Sequence, residues 1–129
     1  MALLDIEKAF DAVWINGLIH KLHQFHFPIY LIKIIHNYLS NRVFRVSVGS
    51  VLSDILEIVA GVPQGSILGP ILFNIFTSDM PPIEYGGQLA VFADDTAIMF
   101  EGRVITAMVR KLQNGLDTLS SYYKNWKVR

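Results

Sequence analysis

Apolar positions along the chain change their period several times, and each change marks an element. "ALLDI", residues 2–6, is a short apolar run that reads as a buried strand meeting an acidic turn at Asp5. Trp14, Leu18, Leu22 and Phe25 recur at helical spacing and predict a helix over 14–25. Pro28 suits the first turn of a second helix, over 28–39, with Ile29, Ile32, Ile35 and Leu39 as its apolar surface. "RVFRVSVGSVLSDILEIVAG" alternates and is rich in β-branched residues. With Gly49-Ser50 as a turn, it predicts strands over 42–48 and 55–60. "GVPQGSILGP" is a loop, dense in Gly and Pro. "ILFNIFTSDM" behind it predicts a buried helix that Pro81-Pro82 ends. Leu89 to Ala93 and Thr96 to Phe100 predict the two strands of a hairpin around Asp94-Asp95, and a last helix follows over 104–126.

This order of elements is α+β, with helices packed on one face of a mainly antiparallel sheet. No internal repeat or linker interrupts it, so residues 1–129 read as one domain. At 52% hydrophobic and 17% charged residues, the composition is rich for a soluble domain. It points to a buried sheet, or to apolar faces that a larger assembly covers. The chain has no cysteine, which excludes disulfides and thiolate metal sites. Lys33, His36 and Asn37 break the apolar run from Ile29 to Leu39, so no membrane span is expected. "MALLDIEKAF" lacks a basic and then apolar leader, and the chain is not expected to be secreted.

The net charge is zero, but its distribution is uneven. Arg103, Arg110, Lys111, Lys124, Lys127 and Arg129 face only one acid, Asp117, in the last segment, while residues 1–102 hold five basic and ten acidic residues. A basic tail beside an acidic body fits a polyanion surface next to a cation site, and it also fits a solvated helix face.

Asp94 and Asp95 sit between strand-like flanks, where a turn is the natural reading and Asp is a good turn residue. Yet Asp-Asp is not a favoured two-residue turn, which wants Gly or Asn at positions of positive φ. Two carboxylates about 4 Å apart repel by ~1 kcal/mol in water and by ~4 kcal/mol at an effective dielectric of about 20. A stiff scaffold that holds them calls for a compensating cation. "LLDIEKAFD" supplies a second acidic group, Asp5 followed by Glu7 and Asp11. If this strand lies beside the hairpin, Asp5 and Asp94 converge at one end of the sheet. Carboxylates with neither His nor Cys make an oxygen-only site, suited to Mg²⁺ or Mn²⁺. Two such ions roughly 3.5–4 Å apart serve in-line phosphoryl transfer. The spacing of Asp11 leaves it open between metal ligand, helix cap and ion-pair partner.

"LDIEKAFDAVW", "GVPQGSILGPILFNIF" and "FADDTAI", in this order and spacing, resemble motifs A, B and C of reverse transcriptases. The detailed wording resembles the non-LTR retrotransposon class, jockey-like elements in particular. The resemblance covers nearly the whole chain and implies a polymerase palm fold. It implies an RNA-directed DNA polymerase, a nucleotidyltransferase that works with an RNA template, a DNA primer and dNTPs in the cytoplasm and nucleus. It implies that Asp5 and Asp94, with Asp95 as third member, hold two Mg²⁺ ions, Mn²⁺ being the alternative. Phe10 matches the bulky residue that sits under the incoming sugar and excludes a 2′-hydroxyl. Gln64 matches the side chain lining the nucleotide pocket, and Pro63, Gly65 and Ser66 shape that loop. Phe92 stands where many family members have Tyr. The family carries a fingers region before motif A and a thumb after the last palm motif. The resemblance therefore implies a partial domain, with fingers and thumb missing from residues 1–129.

Two other functions share these carboxylates: a catalytically inactive retroelement relic that keeps the palm and binds nucleic acid, and a metal-dependent nuclease. Phe10 and Gln64 have no evident task in hydrolysis, which weakens the nuclease. His20, His23 and His26 recur every three residues, but each step falls about 60° short of a helical turn, so they drift apart and do not suggest zinc. Gly61, Gly65 and Gly69 lack a following Gly-Lys-Ser/Thr and form no P-loop. Trp14, Phe25, Phe27, Phe73 and Phe76 read as core, and Asp54 as a turn residue. Nothing in the sequence points to an oligomer.

Overall fold

In a computed structural model, residues 1–128 are described; Arg129, the last of the basic residues counted above, lies outside them. Strand β1 (Ala2–Asp5) leads into a single helical turn, α1 (Ala9–Ala12), and then into helices α2 (Ile15–Gln24) and α3 (Ile29–Leu39). Two nested hairpins follow, formed by β2 (Arg42–Phe44), β3 (Ser47–Val48), β4 (Val51–Leu52) and β5 (Leu56–Ile58). Helix α4 (Leu68–Thr77), the hairpin β6 (Gln88–Phe92) and β7 (Asp95–Met99), and helix α5 (Ile105–Asn125) complete the chain.

The central sheet has the order β1-β7-β6, antiparallel throughout. Leu4 stands opposite Thr96 and Leu89 opposite Ile98, which puts these side chains on one face. Helix α5 covers that face. Ile83, Ile98 and Leu119 are buried together, and Gly115 of the helix faces Ile83 and Ile98. On the other face Leu3 and Phe92 are 74% and 82% exposed. The sheet is thus covered by a helix on one side and open on the other, as the α+β reading expects.

A second apolar cluster joins α1, α2, α3 and α4 around Leu18, Leu22, Leu39, Phe73 and Phe76, all essentially inaccessible to solvent. Burying each such side chain contributes roughly 1.5–3 kcal/mol. Trp14 and Phe27 pack at the edge of this cluster, but Phe25 is 41% exposed and does not join the core. Phe25 caps the C-terminus of α2, and the chain turns away after it with His26 at φ 56.

The predicted strands over 42–48 and 55–60 are broken into two short pairs. Arg42 to Phe44 pair with Leu56 to Ile58, and Ser47-Val48 pair with Val51-Leu52 around Gly49 and Ser50. Ser53 interrupts the ladder because its hydroxyl takes the Val46 N–H at 2.9 Å. This ribbon carries Val48 and Val59 at 74% and 80% exposure. Among the described residues no helix is long and apolar enough to cross a membrane.

Candidate active site

The register of the central sheet sets the site. Asp5 is the last residue of β1 and stands directly opposite Asp95, the first residue of β7. Cross-strand partners have Cα atoms about 4.5–5.5 Å apart and project to the same face. Here that is the open face. Asp95 also pairs with Phe92, so the two-residue turn is Ala93-Asp94 and not Asp94-Asp95 as the apolar flanks suggested. The turn needs a positive φ and takes it at Ala93, φ 52. Asp94 therefore sits on the tip, half-buried, while Asp5 and Asp95 are exposed.

These three acids share one end of the sheet, but among the described residues no group of three or more His, Cys, Asp or Glu is placed to hold a metal ion. The donor set nevertheless suits a hard divalent cation. Mg²⁺ retains waters and takes only one or two carboxylates, with substrate phosphates supplying other ligands. The histidines do not converge either: His20 stacks beside Trp126 at 6.5 Å, and His23 and His26 are exposed.

The loop of "VPQGS" is docked onto the turn that follows β1. Val62 N–H donates to the Phe10 carbonyl and Gly61 N–H to the Val13 carbonyl, both at 2.8 Å. Gly61 has φ +86, and a Cβ there would lie 2.8 Å from the Asp11 Cα, so only glycine fits. Arg42 holds the same loop from the ribbon side: its guanidinium donates to the carbonyls of Ala60, at 3.1 Å, and Gly61. Neither Gly61 nor Arg42 was singled out for this by sequence. The signal for Gly61 is present only in its place just before the loop.

Gln64 is exposed, and its side-chain amide donates to the Asp11 carboxylate at 3.0 Å. Asp11, open in the sequence, is therefore a partner for Gln64. Pro63 and Ser66 build the start of α4. The Ser66 hydroxyl donates to the Pro63 carbonyl at 2.8 Å and accepts the Gly69 N–H at 2.9 Å, which caps the helix. Gly65, φ +76, leaves open space beside its backbone. Pro70 falls in the first turn of α4, where its missing N–H costs no hydrogen bond. Phe10 lies half-buried, its ring 5.0 Å from that of Phe73 on α4, and it lines a groove that also reaches Phe92 and Ala93.

One cluster is absent from the sequence reading. Lys21 of α2 is fully buried and bonds the Phe76 carbonyl, Asp79 and, at 2.9 Å, the Tyr122 hydroxyl. Its ammonium lies 3.7 Å from the centroid of the Trp126 ring. Burial holds the Lys21 ammonium below its ordinary pKa, against the opposing pull of Asp79. Burial also pushes the Tyr122 hydroxyl up. A lysine between Leu18 and Leu22 in an apolar stripe was the available signal. The cluster lies under the helices and is part of the scaffold.

A family model described as reverse transcriptase (RNA-dependent DNA polymerase) matches residues 1–129. The chain is 43% identical over 135 residues to the RNA-directed DNA polymerase from mobile element jockey of Drosophila melanogaster, covering 99% of this chain and 15% of that protein. It is 38% identical over 133 residues to a probable RNA-directed DNA polymerase from transposon BS of the same species, covering 98% and 15%. A probable RNA-directed DNA polymerase from transposon X-element, also of that species, is 36% identical over 129 residues. The chain thus spans about 15% of the length of the first two of these relatives. Its match over every residue to the family model, on a helix-backed antiparallel sheet whose register sets Asp5 against Asp95, places the chain in the reverse transcriptase family.

Proposed function

We propose that residues 1–129 form the palm of an RNA-directed DNA polymerase from a non-LTR, jockey-like retroelement, and that fingers and thumb are supplied by other sequence. The observation that carries this reading is the register that sets Asp5 against Asp95 with Asp94 on the adjoining tip. The reaction joins a deoxynucleotide to the 3′-hydroxyl of a DNA primer on an RNA template and releases pyrophosphate. Asp5 and Asp94, with Asp95 as third member, would hold two Mg²⁺ ions. When bound, divalent ions neutralise charge on the triphosphate and acidify the attacking hydroxyl.

The chain's own residues position the reactants. The aromatic edge of Phe10, backed by Phe73, forms a floor under the sugar and fills the space a 2′-hydroxyl needs. Gln64 lines the nucleotide pocket, its amide fixed by Asp11 so that the carbonyl end stays available. Pro63, Gly65 and Ser66 set the path of the loop, and Gly65 lets a ligand approach the backbone closely. The template and primer of such an element place this work in the cytoplasm and nucleus.

A primed RNA template, offered to the full-length protein with all four dNTPs and Mg²⁺, tests the reading. Extension that copies the template is expected. A protein that binds the duplex but never extends it is the inactive relic, and one that cleaves it is the nuclease.

A further inference from the structure

Phe10 rides on a turn that cannot hold itself. Helix α1 is four residues long, Lys8 caps it at φ 52 without a side-chain hydrogen bond, and helices this short are marginal in water. Its support comes from the loop, through the Val62 N–H on the Phe10 carbonyl and the Gly61 N–H on the Val13 carbonyl. Arg42, the first residue of β2, holds that loop. Its Nε donates to the Leu39 carbonyl at the end of α3, at 3.0 Å, and one Nη donates to the carbonyls of Ala60 and Gly61. A planar guanidinium spans all three acceptors at once; a lysine ammonium does not. Arg42, Val43 and Ile58 also stand between two hollows. One, of about 420 Å³, reaches Trp14, His36 and Glu57, and the other, of about 450 Å³, reaches Asp11 and Gln64.

We propose that Arg42 is a positioning residue for sugar selection: by tying the Ala60 and Gly61 carbonyls to the end of α3, it fixes the turn that carries Phe10. The inference rests on the polymerase reading above. A wall that rejects a single hydroxyl works only while it does not recede, so its backing decides the outcome. Phe73 backs the Phe10 ring, and the loop backs its main chain. Without the guanidinium, Ala60 and Gly61 lose their tie to α3. The loop then gains freedom, and Phe10 yields to a 2′-hydroxyl. Arg42 thus acts through Phe10 and not on the nucleotide.

The test compares incorporation of a dNTP with that of the matching rNTP by the full-length protein on a primed RNA template. Arg42→Ala is expected to lower the deoxyribonucleotide preference about tenfold, as for a displaced positioning group. In a Phe10→Ala background the same substitution is expected to change the preference no further, because the wall is already gone. Millimolar guanidinium fits the space that Arg42→Ala opens between the two hollows. It is expected to restore the preference in Arg42→Ala and to leave Phe10→Ala unchanged. Amide hydrogen exchange reads the same link without catalysis: the Gly61 and Val62 N–H groups should exchange about tenfold faster in Arg42→Ala and slow again with guanidinium. Arg42→Lys keeps the charge and loses the fork, so it should show the same losses in milder form; it carries the test if Arg42→Ala melts below the assay temperature. Unchanged preference, unchanged exchange at Gly61 and Val62, or an equal loss of preference with and without Phe10 overturns the proposal. Wild type that extends no primer contradicts the polymerase reading instead, and the exchange result then still decides whether Arg42 holds the turn.

Discussion

Ala93 holds a left-handed backbone at the tip of the hairpin, where an L-residue with a Cβ is strained by about 1–2 kcal/mol. Ala93→Gly should relieve that strain and raise stability by roughly 0.5–1 kcal/mol, after the entropy glycine loses on folding. A lower denaturation midpoint in the variant would show that the tip is not strained. The same residue explains why the turn was misplaced in the sequence. Gly or Asn would have marked it; Ala does not, and the strand pairing of Phe92 with Asp95 decides the position. Phe10 packs on Phe73, and in the proposed function it also walls the sugar site. Phe10→Ala in the full-length protein should therefore lower stability by about 1–3 kcal/mol, less than for a fully buried Phe, and raise ribonucleotide use relative to deoxyribonucleotide use. An unchanged ratio in an active variant would remove Phe10 from sugar selection.

Between elements, the Lys21 cluster ties α2 to the end of α4 and to α5. Its partners Asp79 and Tyr122 lie 58 and 101 residues along the chain. No local period reports contacts at such separations, so the lysine could only look misplaced. The helices themselves were legible because Leu18 and Leu22, or Ile32 and Leu39, keep helical spacing on a buried face. The ribbon was less so, since alternation over 42–60 does not reveal where Ser53 breaks the ladder. Removing Asp79 strands a buried cation, so Asp79→Ala should cost about 3–5 kcal/mol. Lys21→Met should cost less, because Asp79 then keeps the Tyr122 hydroxyl and partial solvent contact. The pH dependence has a definite sign. The lowered Lys21 pKa means that the unfolded chain holds its proton at higher pH than the fold, so stability rises as pH climbs toward 10.5. The raised Tyr122 pKa means that the unfolded chain ionises first, so stability falls above about pH 10. Urea denaturation from pH 8 to 11 should show a rise and then a fall in wild type, and only the fall in Lys21→Met. A rise that survives in Lys21→Met would refute this assignment.

At the scale of the whole molecule, the basic segment read from the sequence is divided in its use. Lys111 donates to the Tyr85 carbonyl at 3.2 Å and Lys127 lies over the Trp14 ring at 4.2 Å, whereas Arg110 and Lys124 are exposed. The three motifs were legible because their chemistry is carried by short runs. Their meeting depends on strand register and on Gly61, which the sequence does not spell out. In the proposed function Asp94, on the hairpin tip beside Asp5 and Asp95, serves nucleotidyl transfer. The most direct test is single-turnover primer extension on an RNA template in Mg²⁺, comparing the full-length protein with its Asp94→Asn variant. Both must bind primer–template equally and melt alike, since the half-buried tip tolerates an isosteric amide. A rate about a hundredfold lower or worse is expected in Asp94→Asn, equivalent to roughly 2.7 kcal/mol of lost barrier lowering. Extension by Asp94→Asn at the wild-type rate would contradict it.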